Sequence, residues 1–125
     1  MTEEQSLSVP GRIEITPEAI ASIVSQAVLT CYGVVGMASR TLTDGLVEIL
    51  QGDSSRRGVE VRVVDDRIII DLYVVLEYGM RIVTVAENVK SVVKFAVEQQ
   101  VGVPVHAVNV HVQGLRVSEG EPGGR

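Results

Sequence analysis

The chain has 125 residues, of which 46% are hydrophobic and 3% aromatic, with a formal net charge of -5. That length suits one domain with a real core and leaves no room for a second. Valine supplies much of the apolar bulk and favours sheet, while the scarcity of aromatic platforms and the acidic balance exclude nucleic acid as an expected partner.

In chain order, residues 1–10, "MTEEQSLSVP", form a polar segment expected to stay mobile, without the basic start and apolar stretch of a signal peptide. A single domain over 11–117 follows. "RIEI" reads as a short first strand, and "TPEAIASIVSQAVLTCYG" as a helix, with Thr16 as cap, Pro17 in the first turn and Gly33 as a left-handed stop. Its apolar stripe is Ile20, Ile23, Val24, Ala27, Val28 and Cys31. "GVVGMAS" predicts a second strand. Thr41 with Asp44 resembles a capping box opening a short helix, "DGLVEIL", which Gly45 weakens by about 1 kcal/mol relative to alanine. "GDSSRRG" reads as a loop.

The next stretch predicts a register. A two-residue Asp65-Asp66 turn in "VEVRVVDDRIIIDL" places Val64 opposite Arg67, Val63 opposite Ile68, Val61 opposite Ile70 and Val59 opposite Leu72. Glu60 then opposes Asp71, an unfavourable pair that Arg62, diagonal to Asp71, can relieve. "RIVTVAENVKSVVKFAVEQQVG" is the long helix, with Ile82, Val85, Ala86, Val89, Val93, Ala96 and Val97 as its buried stripe. Val92 and Phe95 widen its apolar side, which predicts cover on a second flank. Gly102 and Pro104 end it. "VHAVNVHVQGLRV", 105–117, is the last strand, and 118–125, "SEGEPGGR", a tail expected to be disordered.

This order predicts an α/β two-layer sandwich: a small mixed or antiparallel sheet with two main helices and one short helix on one face. The opposite face would carry Glu60, Arg62, Asp71, Tyr73, Asn109, His111 and Gln113, with Ile69 and Val75. Alternation sends His106 and His111 to opposite sides of the last strand, so they do not form a metal pair. No catalytic, cofactor-binding or metal-ligating residue is assigned. The glycines lack phosphate-loop spacing; Asp65 and Asp66 read as a solvated turn; Cys31, the one cysteine, reads as a packed small hydrophobe. Arg81 stands at the helix end where a cation opposes the dipole, which predicts a separate partner, most simply a nearby acid. The candidate partner surface is Tyr73, Asn109, His111, Gln113 and Arg81.

The motifs "YGVVGMAS", "DGLVEIL", "RGVEVRV", "IDLYVVLEYGMRI" and "VNVHVQGLRV", in this order, resemble the alkaline-shock-protein family, or envelope stress response family, of Gram-positive bacteria, and in particular its short, housekeeping-type members. The resemblance spans about Gly11 to Val117. It implies a cytoplasmic protein without known catalysis, found at the inner face of the membrane through small membrane-anchored partners and prone to self-association. It offers no catalytic residues to carry over, and the brief acidic tail departs from the longer members. The expectation is a non-enzymatic scaffold or adaptor in envelope homeostasis, a homo-oligomer with protein partners, no cofactor and no membrane span. The alternative expectation is a sensor that holds an acyl or similar apolar ligand between helices and sheet to regulate lipid metabolism.

Overall fold

The structure, a computed structural model, describes residues 10–39 and 49–117. Helix α1, Pro17–Leu29, begins where the Thr16 hydroxyl accepts the Ala19 amide at 3.1 Å and Pro17 fills the first turn. It ends at Leu29, earlier than its glycine suggests. Thr30 closes it by returning its own amide to the carbonyls of Ala27 and Val28, and Gly33, with φ 88°, serves the turn into strand β1, Val34–Ala38. Strand β2, Ile49–Leu50, pairs antiparallel with β1, Met37 opposite Leu50. The expected helix over "DGLVEIL" is corrected at Ile49 and Leu50. Pairing with β1 buries Leu50 and outweighs a weak helical pattern. The rest of that helix and its Thr41–Asp44 capping box lie outside the described residues, as do 1–9 and 118–125.

Gly52–Gly58, expected as a loop, is a 3-10 helix. Its short serines explain the tight winding: Ser54 and Ser55 donate to the carbonyls of Gln51 and Gly52 at 2.8 and 2.7 Å. Strands β3, Val59–Val64, and β4, Arg67–Glu77, form the hairpin in the register that the sequence predicts, Val59 opposite Leu72 through Val64 opposite Arg67. Asp65 and Asp66 both take positive φ, 51° and 64°, as a type I′ turn requires. Helix α2, Ile82–Val101, stops at Gly102, whose φ of 83° is the left-handed cap. Strand β5, Val105–Arg116, follows.

The sheet is mixed, and β4 is its axis. Along one edge β4 pairs parallel with β5; along the other it pairs antiparallel with β3 over its first half and with β1 over its second. Because β1 and β3 share that edge end to end, Gly58 meets β1 closely: a Cβ there would lie 2.7 Å from the Ala38 carbonyl oxygen and 2.9 Å from the Met37 Cβ. Ile68, Ile70, Leu72, Val74 and Leu76 of β4 face both helices, meeting Ile20, Val24 and Val28 of α1 and Val85, Val89, Val93 and Val97 of α2 in one core. That is the two-layer α/β arrangement with its main helices on one face. Ile82, placed in the buried stripe, is half out at the helix start.

Two further expectations fail. "RIEI" is not a strand: Arg12–Ile15 pairs with no described strand, and Ile13 is 91% exposed because none lies beside it. The second flank of α2 is uncovered as well. Phe95 is 65% exposed and, with Ile23, Ala27 and Val92, lines a groove of about 520 Å³ that opens between the two helices onto solvent.

Candidate functional site: the outer face of the sheet

Register builds the site. The parallel pairing of β4 with β5 sets Asp71 beside Asn109 and Tyr73 beside His111, while the hairpin sets Arg62 diagonal to Asp71. Asp71 is the hub. Its Oδ2 accepts from Arg62 Nη2 at 2.7 Å, and its Oδ1 lies 3.1 Å from both Asn109 Nδ2 and His111 Nε2. An ionised carboxylate only accepts, so His111 presents a protonated Nε2 to it. The imidazole also stacks on Tyr73, ring centres 4.6 Å apart and planes 12° from parallel.

Asp71 is 7% exposed on a strand paired along both edges. Desolvation disfavours its charge, but the hydrogen bonds from Arg62, His111 and Asn109 and the Arg62 charge outweigh it, so the carboxyl is held below the ordinary range. A charge at this depth persists because both carboxylate oxygens are hydrogen-bonded, one of them to a guanidinium. Around this buried hub Arg62, Asn109 and His111 are exposed and Ile69 and Tyr73 half-buried. The result is a face of mixed polarity whose Arg62, Asn109 and His111 donors are held on Asp71, with the Tyr73–His111 stack beside them.

Of the predicted surface residues, Tyr73, Asn109 and His111 come together here. Gln113 does not join them in register: the ladder steps from Val112 opposite Val74 to Gly114 opposite Val75, so Gln113 is the extra residue of a bulge. Arg81 lies elsewhere, exposed just before α2, and among the described residues it has no acidic partner; the first turn of α2 contains no acid. Val75 is also corrected. It stands on this face but is fully buried between Gly36 and Gly114, so it offers nothing to a partner. The sequence puts Asp71 and Arg62 on this face without singling them out as site residues. The available signal is Asp71 itself, a lone acid interrupting "IIIDLYVVL".

The other residues weighed in the sequence lie apart from this hub. His106 sits in a second bulge of β5, between Val105 opposite Ile68 and Ala107 opposite Ile69, and is exposed. Among the described residues no three of His, Cys, Asp and Glu gather to hold a metal ion. Burial pushes the Cys31 thiol up, and its Sγ rests 3.6 Å from the Ala27 carbonyl oxygen, as a packed hydrophobe does. Between helices and sheet, where the alternative expectation puts an acyl ligand, Val24, Val28, Ile70, Leu72, Val89 and Val93 are fully buried. The apolar groove lies outside that layer.

Comparison with known families adds the decisive observation. The alkaline-shock-protein family profile, described by a cell envelope-related function, matches residues 5–117. The chain belongs to this family. Among its relatives, "Uncharacterized protein YloU" of Bacillus subtilis is 46% identical over 109 residues, covering 86% of this chain and 91% of that one. "Uncharacterized protein Spy1614" of Streptococcus pyogenes is 37% identical over 108 residues, 86% and 89% of the two chains. A "Stress response regulator gls24 homolog" of Streptococcus pyogenes is 25% identical over 118 residues, 94% of this chain and 66% of that one. Family membership brings a cell envelope-related function. Among the described residues no helix is long and apolar enough to cross a membrane.

Proposed function

We propose that this protein is a non-enzymatic scaffold or adaptor in cell-envelope homeostasis, acting through self-association and through a protein partner docked on the outer face of its sheet. The observation that carries the reading is the buried Asp71 hub with the Tyr73–His111 stack above it. Both described helices pack on the other side, Arg62, Asn109 and His111 are exposed around the hub, and immobilised aromatic and polar groups bind with little ordering cost. Peripheral placement at the inner membrane face, through a membrane-anchored partner, fits such an adaptor.

The test is the double variant Tyr73→Lys with His111→Gln, which changes the outward surface while the glutamine amide can still donate to Asp71 and the core side is left alone. Circular dichroism should report an intact fold, and partner capture from cells, read by mass spectrometry of proteins and lipids, should fall at least tenfold. A folded double variant that captures the same partner undiminished moves the docking surface off this face. A second reading, sensing of an acyl ligand, has one observation in its favour: the apolar groove around Ile23, Val92 and Phe95. Acyl chains released from the native protein in mass spectra, and lost in Phe95→Gln, would favour it over the adaptor.

A further inference from the structure

We infer that Arg12–Ile15 is an edge strand delivered in trans: two copies of the chain pair by each laying this segment antiparallel on the open edge of the other's β3. The inference rests on the self-association part of the reading above and gives that contact its own place, the rim of the sheet rather than its face.

Arg12-Ile13-Glu14-Ile15 alternates charged and apolar residues, the pattern of a strand with one buried side. It has no partner among the described strands, and Ile13 and Ile15 are 91% and 45% exposed. Strand β3 has the matching vacancy. It pairs with β4 alone, so among the described residues its other edge is free, and Val63 on its helix-facing side is 58% exposed. An unpaired edge of this kind invites another strand.

With Ile13 set opposite Val63, Ile15 falls opposite Val61 and Glu14 opposite Arg62. Opposed residues point to one side, so two apolar pairs form beneath the sheet and one acid–base pair above it. Arg62 has donors to spare beyond its 2.7 Å bond to Asp71. A slip by one residue in either direction would turn both isoleucines to the outer face, one of them against Arg62, and Glu14 to the apolar side, which pins the register. Of the two directions, antiparallel gives the straighter hydrogen bonds. Within one chain, among the described residues, both segment and edge are without a paired strand. Reciprocal exchange pairs both at once, through the same patch on each copy, as a closed two-fold dimer requires.

The experiment uses the full chain in a Cys31→Ser background. Ile13→Cys and Val63→Cys are made as separate chains, both at exposed positions, and circular dichroism confirms folding. Mixed at high micromolar concentration under mild oxidation, they should form a disulfide-linked heterodimer on non-reducing gels, in clear excess over a mixture of Ile13→Cys with the distant Asn88→Cys. Sedimentation should show a dimer that Glu14→Arg weakens at least tenfold. A protein that sediments as a monomer throughout overturns both this inference and the self-association it rests on. A dimer without the heterodisulfide overturns the strand exchange alone and leaves self-association standing. A chain carrying both cysteines that closes its bridge at monomer mass shows the segment folding back on its own β3, which also overturns exchange.

Discussion

Asp71 shows how one residue can be a cost and an organiser together. Its burial opposes ionisation, and Arg62, His111 and Asn109 reverse the outcome. The folded carboxyl therefore loses its proton at lower pH than in the unfolded chain, where an aspartate titrates at about 3.9. The stability this contributes is complete above that unfolded value and disappears as pH falls through the depressed folded one. Asp71→Asn keeps the shape and removes the charge, so it should be less stable than the parent at pH 7, with the gap closing at acid pH. Urea midpoints taken from pH 7 down to the acid limit check this; a gap that stays constant would mean that the Asp71 charge is not what the network stabilises. Asp71→Ala, which leaves three donors without their acceptor, should cost on the order of 1 to 3 kcal/mol at neutral pH.

At the scale of elements, the hairpin and the helices respond to different physics. Asp65 and Asp66 hold positive φ at both central positions, which aspartate tolerates and Asn-Gly prefers. Replacing the pair by Asn-Gly should raise stability by about 1 kcal/mol or less, seen as a higher melting temperature with unchanged register. In α2, Val93 is fully buried and Phe95 65% exposed, two residues apart on one helix. Val93→Asp should cost several kcal/mol and unfold a marginal domain, whereas Phe95→Gln should stay within about 0.5 kcal/mol of the parent. Equal melting temperatures for the two variants would invalidate the assignment of the buried stripe. The hairpin register was legible because a two-residue turn and a period of two leave one consistent pairing. The long helix was legible from its valines at every fourth position, as was the capped start of α1. Other elements were not. A pair such as Ile49–Leu50 carries no period, so only its pairing with β1 decides its state. "RIEI" has a strand's alternation but finds no strand to join. The bulges at His106 and Gln113 leave no compositional trace, and the second takes Gln113 out of step with Asn109 and His111.

For the whole molecule, family and layer order were readable from the succession of motifs, whereas the direction of β5 was not, since alternation is the same in parallel and antiparallel strands. That direction assembles the site: only the parallel register sets Asn109 beside Asp71 and His111 beside Tyr73. It also has a consequence in time. β4 is complete long before its partner β5 has been synthesised, because the whole of α2 lies between them. At roughly 5 to 20 residues per second, the emerging chain spends seconds with the apolar β4 bare along an entire edge. The antiparallel hairpin, by contrast, closes as soon as it is made. Completion of the described sheet thus waits on β5, and the interval before β5 arrives is when a nascent chain most needs shielding from its neighbours on the same messenger.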